Sequence, residues 1–456
     1  MPHASATPVD VALIGAGSIG IAVAYYLVRR HGVRSLALID PRDPLSFTSA
    51  QSGENYRNWW PHPVMTAFTD HSTSLLEELD RLDPGRIAMT RGGYALATRV
   101  DRPDVLIREL YRGYGEMAGR VRIRLSANCD YVPPKRTPWE EAPDGVDVLL
   151  NRDLIQRTFP SWAPDIAAVI HVRRAGSISS QQMGQAMLEV VRAEGGKIIR
   201  GEVKSIAAGE GFTLEVATAH GTRKIAARRL VNAAGPYLRD VGALLGEDIP
   251  VKCVYQQKIA FPDEEHAIPR GMPFTIDLDD QSLAWSEEDR ALLAGDAATR
   301  HLTEPMKGGI HCRPDGPVEG TWIKLGWAYN EAATDPHGPE PVDPQFPDTV
   351  LRGASRLHPK LAAYIGRLPR GAHHYGGWYT MTEENWPLIG PMKTPGAFIA
   401  GALSGYGTMA ACATGALCAA WVTGNPVPDY AKALTFERYS DTALMAELAG
   451  LGKGTL

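Results

Sequence analysis

The sequence predicts an α/β fold, in which one domain is built on parallel strands and a second, mostly antiparallel β-sheet is inserted into it. Strand and helix patterns alternate near both ends of the chain, whereas residues 250–359 are rich in aromatic residues, proline and short strand-like runs. At 456 residues the chain is also too long for one compact core. We expect a discontinuous first domain at residues 1–87, 150–245 and 365–456, and a second domain at residues 88–149 and 246–364.

The most specific motif follows the first strand. GAGSIG (Gly15–Gly20) lies between an apolar strand and a helix, and a second apolar strand ends at Asp40, twenty residues after Gly20. Gly15 allows a sharp turn, Gly17 lets the backbone approach a pyrophosphate, and Gly20 lets the helix pack on the strand. The helix N-terminus offers N–H groups to phosphates, and Asp40 can accept a hydrogen bond from a ribose. This order predicts a Rossmann-like dinucleotide site.

Further elements follow from periodicity and from turn residues. We expect helices at Val64–Leu82 and Ser179–Glu194, strands at Lys252–Ala260, Ala291–Leu293, Trp322–Trp327 and Ala397–Ala402, and a last helix that ends near Val422. Residues 128–147, rich in proline and charge, are expected to form an exposed insertion.

Composition narrows the class of protein. The net charge of −5 gives no electrostatic reason for a nucleic-acid partner or a polybasic membrane contact. Five scattered cysteines without a CxxC pair predict no metal site and fit a reducing compartment, and the first ten residues do not form a signal peptide, so we expect a cytoplasmic protein. The segment Gly396–Gly424 carries no charge, but a Ser-Gly-Tyr-Gly turn interrupts it, which favours a buried strand and helix over an integral membrane span.

Taken in order, several segments resemble the D-amino-acid oxidase superfamily, which includes sarcosine oxidase, glycine oxidase and D-amino-acid dehydrogenases. Besides GAGSIG with Asp40, the segments are TSAQSGENYR ending at Arg57, LVNAAGP (Leu230–Pro236), GGIHCRPDGP around Arg313, GGWYTMTEENWPLIGP (Gly376–Pro391) and GALSGYGTMAACATG (Gly401–Gly415). The resemblance covers nearly the whole chain and implies FAD as the cofactor.

The expected FAD contacts come from four parts of the chain: the glycine-rich turn, the Ser-rich loop, the strand ends and the C-terminal glycine turn. They are Gly15, Gly17, Ser18, Ile19, Gly20, Asp40, Pro41, Ser49, Ser52, Val203, Ala234, Gly235, Gly405, Gly407, Thr408 and Met409. A helix that begins near Thr408 would stabilise negative charge on the reduced flavin by roughly 0.5–2 kcal/mol.

Two departures from the resembled pattern concern the flavin. Gly377 stands where sarcosine oxidases carry a cysteine that bonds the flavin, and no histidine lies between Phe47 and Arg57, so we expect FAD to be held non-covalently. Met409 stands where the same oxidases carry a lysine, and a cation near the flavin favours electron transfer to oxygen. The electron acceptor is therefore oxygen or another molecule.

The resemblance implies oxidation of a C–N bond in an amino acid or a secondary or tertiary amine, by hydride transfer to the flavin and hydrolysis of the imine. Oxidation of a C–O bond, as in a 2-hydroxy acid, is one alternative. A flavin monooxygenase is another, although the chain has no second GxGxxG with flanking strands. A non-catalytic flavin-binding subunit of a larger amine dehydrogenase is a third.

The candidate catalytic residues are those able to bind a substrate carboxylate or to line the flavin: Tyr379, Arg57, Tyr255, Arg313 and Tyr406. Each has a structural alternative, such as a core tyrosine for Tyr379 and a solvated or structural role for Arg57. For His62 and His311 the structural role is the leading interpretation. The pair Trp59-Trp60 forms either an aromatic wall over the flavin or part of the core.

Overall fold

The structure is a computed structural model, and it describes residues 8–135 and 139–451. The strands, in chain order, are β1 (Val9–Ile14), β2 (Leu36–Asp40), β3 (Asn55–Arg57), β4 (Tyr94–Thr98), β5 (Val121–Arg124), β6 (Val146–Leu149), β7 (Ala168–Val172), β8 (Ala175–Ser177), β9 (Lys197–Arg200), β10 (Glu202–Ala208), β11 (Phe212–Thr218), β12 (Gly221–Asn232), β13 (Lys252–Pro262), β14 (Phe274–Asp277), β15 (Ile310–Pro314), β16 (Trp322–Trp327), β17 (His373–Met381), β18 (Leu388–Pro391) and β19 (Ala397–Gly401). The α-helices are α1 (Ser18–His31), α2 (Pro63–Leu82), α3 (Asp104–Tyr114), α4 (Arg152–Thr158), α5 (Ser180–Ala193), α6 (Leu238–Leu244), α7 (Glu287–Gly295), α8 (Phe346–Ala354), α9 (Gly407–Thr423) and α10 (Thr442–Ala449).

The first sheet is centred on β1. Strands β19, β12, β1, β2 and β9 lie side by side and parallel, and β10, β11 and β18 add antiparallel pairs to them. The chain leaves β1 through α1 to β2 on one side, whereas β12, on the other side of β1, comes from much later in the sequence. This change of direction opens a crevice at the carboxyl ends of β1 and β12, where doubly wound sheets bind ligands.

Alternating residues of the parallel strands fill two cores. Leu13 and Leu38 face a layer of α1, α2, α5 and α9, whereas Ile14 and Ile39 face the β10–β12 hairpins and α6. The crossing of α1 and α9 is close, because a Cβ atom on Gly415 would lie 2.6 Å from the backbone carbon of Ala22. Helices α1 and α9 therefore lie side by side, and the segments at the start of each line the same cavity.

The second sheet has the order β17-β13-β16-β15-β14-β4-β7-β6-β5. Its pairs are antiparallel except for β14 with β4 and β5 with β6. The fold class is therefore the expected one: a Rossmann-like sheet with helices, combined with a mostly antiparallel sheet. Strands β3 and β8 form a separate two-stranded antiparallel sheet.

Most of the expected elements are confirmed. The glycine-rich unit, the helices α2 and α5 and the strands β13, β16 and β19 lie where the patterns place them, and Ser179 caps α5 with its side chain. The strand expected at Ala291–Leu293 is wrong, because these residues lie inside α7. Ser286 caps this helix and three acidic residues occupy its first turn, which favours a helix over a short apolar strand.

The expectation of an exposed insertion at residues 128–147 is also wrong in part. Tyr131, Trp139 and Val146 are buried, and Asp147 is a buried residue of β6 that forms ion pairs with Arg122 and Arg124. Residues 136–138 of this segment lie outside the described residues. Charge in this segment therefore reflects buried ion pairs as well as solvent exposure.

The domain division remains a proposal, with one adjustment from the sheets. Strands β7 and β17 fall within the ranges assigned to the first domain, but both pair within the second sheet. We propose that these two strands belong to the second domain. The charge-free segment 396–424 forms β19, the glycine turn and α9, and none of the described helices has the length and apolar character needed to cross a bilayer.

Candidate functional site

The glycine-rich turn after β1 folds against the end of β12. Gly15 has a φ of 112°, and a Cβ atom at this position would lie 2.2 Å from the carbonyl oxygen of Ala233. A Cβ atom on Gly20 would lie 2.0 Å from the carbonyl oxygen of Gly15. Both positions therefore require glycine, which allows the start of α1 to come close to a ligand.

A cavity of about 630 Å³ extends from this turn along the carboxyl ends of the parallel strands to the face of the second sheet. Most of the residues expected to contact the cofactor line it. They are Gly15, Gly17, Ser18, Ile19, Asp40, Pro41, Ser49, Ser52, Val203, Ala234, Gly235, Gly405, Gly407 and Thr408. Of the candidate catalytic residues, Tyr379 lines the cavity. One continuous space is thus bordered by segments from both ends of the chain.

Asp40 connects the turn to the end of β2. Its carboxylate accepts hydrogen bonds from the backbone N–H groups of Ala16 and Arg42, each at 2.8 Å. A carboxylate has about four lone pairs, so two further donors can still be accepted. Asp40 is therefore able to fix the turn and to bind a hydroxyl in the cavity.

The start of α9 also borders the cavity. Gly405, Gly407 and Thr408 line it, and the hydroxyl of Thr408 lies 2.6 Å from that of Ser52 in the Ser-rich loop. The N-terminus of this 17-residue helix carries a partial positive charge. Negative charge in this part of the cavity is therefore stabilised by the helix.

Two residues expected at the cofactor lie behind the cavity surface. Gly20 packs against the turn, as described above, and does not itself line the cavity. Met409 is 4% exposed, and its carbonyl oxygen accepts a hydrogen bond of 2.5 Å from Ser72 on α2. Met409 therefore contributes to the contact between α2 and α9.

Arg57 is buried in an aromatic surrounding on β3 and does not line the cavity. Its guanidinium carbon lies 5.1 Å from the centre of the Trp60 ring and 5.6 Å from that of Tyr94. Burial lowers the pKa of Arg57 below its ordinary value. Trp59 and Trp60 are buried as well, so this cluster forms core contacts.

The tyrosines Tyr255 and Tyr406 are also buried outside the cavity lining. The hydroxyl of Tyr406 donates a hydrogen bond of 3.0 Å to the carbonyl oxygen of Asn385, and its ring contacts Trp60. The hydroxyl of Tyr255 donates a hydrogen bond of 2.9 Å to Glu340. Burial, with the Glu340 carboxylate, raises the pKa of Tyr255.

Arg313 belongs to a cluster of buried charges that joins the second sheet to the Ser-rich loop. It lies 2.7 Å from a carboxylate oxygen of Asp315 and 3.4 Å from one of Glu54, and Lys324 pairs with the same two acids. Burial alone would raise the pKa of Asp315, but Arg313 and Lys324 hold it below its ordinary value. The positive charges of Arg313 and Lys324 are balanced by the two carboxylates. The cluster also fixes the Ser-rich loop at Glu54.

The two histidines have structural contacts. His62 caps α2 and pairs with Glu447 at 3.4 Å. His311 lies on β15 of the second sheet, opposite Gly326 of β16, and burial together with the nearby Lys258 charge lowers the pKa of His311 to about 3. His311 is thus neutral at ordinary pH.

Lys258 is the functional candidate that the sequence interpretation missed. It lines the cavity from β13 and is 4% exposed, and its ammonium lies 3.5 Å from the hydroxyl of Tyr379. The sequence does contain an indication of this role. Lys258 is the one charged residue between Cys253 and Pro262, in a strand with mostly buried residues on both faces. A charge in such a strand predicts a partner or a ligand.

A comparison with models of protein families shows to which family this chain belongs. A model of the FAD dependent oxidoreductase family matches residues 10–421. The chain belongs to this family. It is therefore an FAD-dependent enzyme of the D-amino-acid oxidase family, with a small-molecule substrate and an electron acceptor. A comparison with curated protein sequences gives no match.

Several solved structures have the same fold as this protein. Glycine oxidase from Geobacillus kaustophilus is 18% identical with a TM-score of 0.67, over 94% of this chain and 99% of that chain. L-proline dehydrogenase from P. horikoshii is 17% identical with a TM-score of 0.68, over 95% and 98%. L-amino acid deaminase from Proteus vulgaris is 16% identical with a TM-score of 0.67, over 96% and 99%. At these identities the likeness concerns the fold.

The residues of the cavity fit FAD. Within the described part of the chain, three buried polar atoms of cavity-lining residues have no hydrogen-bond partner: Ser18 Oγ, Thr48 Oγ1 and Trp378 Nε1. A polar ligand would satisfy them. Gly17 and Gly377, which both line the cavity, let the Ser-rich loop pack closely against them, since a Cβ atom on either would lie 3.1 Å from Ser49 or Gln51, respectively.

Proposed function

We propose that this enzyme oxidises a C–N bond in an amino acid or in a secondary or tertiary amine. The observation that supports it is that Tyr379 and Lys258, whose polar atoms lie 3.5 Å apart, line the same cavity as the start of α9 and so offer a polar substrate position beside the expected flavin. The related structures named above are of enzymes whose names refer to glycine, L-proline and L-amino acids.

The proposed cofactor contacts divide between the two ends of the cavity. We expect the N–H groups at the start of α1 to bind the pyrophosphate and Asp40 to bind the ribose. The start of α9 would hold the pyrimidine ring of the flavin, where the partial positive charge of the helix would favour reduction. None of the described residues that line the cavity is a cysteine, which supports non-covalent binding of FAD.

Bound FAD supplies a two-electron acceptor for the hydride that leaves the substrate carbon. The residues of this chain orient that carbon: Tyr379 would donate or accept a hydrogen bond at the substrate, and the second sheet forms one wall of the cavity. Loss of hydride from carbon leaves a C=N bond, and water then adds to give a carbonyl compound and an amine. Oxygen or another acceptor removes the two electrons.

Anaerobic mixing tests the proposal. The purified holoenzyme is mixed with amino acids, N-methyl amino acids, simple amines and 2-hydroxy acids, and the flavin absorbance near 450 nm is followed. We expect at least one amine or amino acid to bleach the flavin within seconds. Bleaching by 2-hydroxy acids alone would refute C–N oxidation, and rapid bleaching by NADPH alone would indicate a monooxygenase.

A further inference from the structure

The loop between β16 and α8 connects the second sheet to helix α6, which packs on the first sheet. It comprises residues 328–345, and none of the described helices or strands lies within it; we call it the clasp loop. Both of its limbs are fixed to β13. The side chain of Asn330 donates a hydrogen bond of 3.0 Å to the carbonyl oxygen of Tyr255, and Glu340 accepts one of 2.9 Å from the Tyr255 hydroxyl. The tip of the loop, residues 335–339, lies between these limbs.

The tip contacts the segment at the start of α6. Nε2 of His337 lies 3.0 Å from a carboxylate oxygen of Asp240, so this ring nitrogen donates a hydrogen bond. The hydroxyl of Tyr237 donates another, of 3.2 Å, to the carbonyl oxygen of Pro336. The rings of Tyr237 and His337 have centres 5.0 Å apart. One short segment of the first sheet's side of the molecule therefore holds the tip in place.

These contacts lie at the rim of the cofactor cavity. Tyr237, Asp240 and His337 line the cavity, although the side chains of Asp240 and His337 are 51% and 59% exposed. Side chains that border the cavity and are also half exposed lie where the cavity meets solvent. Beside them, Arg42 donates a hydrogen bond of 3.0 Å to the Tyr237 hydroxyl, and the N–H of Arg42 is bound by Asp40, the expected ribose ligand. The tip therefore borders the part of the cavity expected to hold the adenosine side of FAD.

The tip is weakly attached, as a movable segment must be. Four of its five residues are exposed, and segments with few buried contacts open at a low free energy. Within the tip, the N–H groups of His337 and Gly338 donate hydrogen bonds to Asp335, so the tip forms a turn that can move as a unit. Opening breaks the hydrogen bonds at Tyr237 and Asp240 and leaves the limbs on β13.

We propose that the clasp loop closes over bound FAD, and that separation of its tip from Tyr237 and Asp240 is the step that admits and releases the cofactor. The contacts of the tip are made between protein groups, so their loss speeds opening with FAD bound and without it. Such a loop changes the rates of FAD binding and release by the same factor and leaves Kd nearly unchanged. The proposal concerns exchange of the cofactor and does not depend on C–N oxidation.

Exchange of bound FAD in the holoenzyme tests the proposal. Holoenzyme is mixed with an excess of radiolabelled FAD, and rapid gel filtration gives the release rate; serial dilution, followed by flavin fluorescence, gives Kd. We expect His337→Ala and Asp240→Ala each to raise the release rate about two- to fivefold, the range for an exposed pair, with Kd nearly unchanged. The double variant should release FAD no faster than the faster single variant, because both changes break the same contact.

The matched control is Lys224→Ala. It removes an exposed pair with Glu215, at 3.3 Å, between β11 and β12, and neither of these two described residues lines the cavity, so release should match wild type. Equal release rates in wild type, His337→Ala and Asp240→Ala would overturn the proposal. A Kd that rises in step with the release rate would overturn it as well, because the side chains would then bind FAD directly. A double variant whose effect is the product of the two single effects would do the same.

Discussion

The carboxylate of Asp40 accepts a hydrogen bond of 2.8 Å from the backbone N–H of Ala16, and so links the end of β2 to the glycine-rich turn. The same carboxylate binds the N–H of Arg42. One side chain therefore holds two backbone segments that border the cavity. Its loss changes both the shape of the turn and the bond expected with the ribose.

Asp40→Ala should weaken FAD binding by about 10- to 150-fold, since one charge-assisted hydrogen bond contributes about 1.5–3 kcal/mol. Titration of apoprotein with FAD, followed by the quenching of flavin fluorescence, measures the Kd. The matched control is Asp10→Ala, on β1, where the aspartate forms a loose ion pair with Arg228 at 3.6 Å. An Asp40→Ala variant that binds FAD as tightly as the control would remove Asp40 from the cofactor site.

Gly15→Ala should abolish the retention of FAD, because the added Cβ atom would lie 2.2 Å from a carbonyl oxygen of Ala233. Gly32→Ala is a stringent control. Gly32 also has a positive φ, 64°, but a Cβ atom there meets nothing within 4 Å. Both variants pay the backbone cost of roughly 1 kcal/mol, and only the first blocks the turn. Equal FAD content in the two purified proteins would contradict this explanation.

Tyr379→Phe should raise KM for a carboxylate substrate several-fold and leave the bound flavin in place, because it removes a hydroxyl from the cavity wall but keeps the ring. Steady-state kinetics and the absorbance ratio at 450 and 280 nm, roughly the flavin and protein bands, report the two effects separately. Tyr111→Phe, on the exposed surface of α3, is the control. An unchanged KM would place the Tyr379 hydroxyl outside the substrate site.

Acid should destabilise the protein through buried histidines. Burial lowers the pKa of His171, His311 and His358 to about 3, with Arg173 acting further on His171 and Lys258 on His311. Below the ordinary pKa of about 6.5 the unfolded chain takes up protons that the folded chain does not, so stability falls as the pH decreases from about 6.5 towards 3. Each histidine contributes up to about 1.4 kcal/mol per pH unit in this window.

Denaturant unfolding at pH 7.5 and pH 5.5, with saturating FAD, measures this dependence. His358→Gln should reduce the loss of stability between the two pH values, whereas His220→Gln should not, since His220 is exposed. A pH dependence that is identical in both variants would show that His358 does not take part.

The elements that were predicted correctly are those whose pattern lies within one short stretch of the sequence. The unit β1–α1–β2 follows from apolar alternation, three glycines and Asp40, all within 32 residues of the chain from Val9. The helix α9 follows from a charge-free run after a glycine turn. These segments carry both their periodicity and their end signals in the sequence itself.

Pairing between strands that are far apart in the sequence explains why the position of Lys258 and the burial of Arg57 were not predicted. Strand β13 pairs with β17, more than a hundred residues later, and only this pairing places Lys258 beside Tyr379. The burial of Arg57 among aromatic rings depends likewise on β4, which brings Tyr94 to β3. Such contacts depend on sheet register, which single-strand patterns do not specify.

The central claim is that the cavity between the two sheets holds one FAD without a covalent bond. The most direct measurement is to denature purified protein, precipitate it with acid, and identify and quantify the coenzyme in the supernatant. We expect a yellow supernatant with about one FAD per chain and a colourless pellet. A colourless preparation, or release of a different adenine-containing coenzyme, would contradict it, and a yellow pellet would show that the flavin is covalently bound.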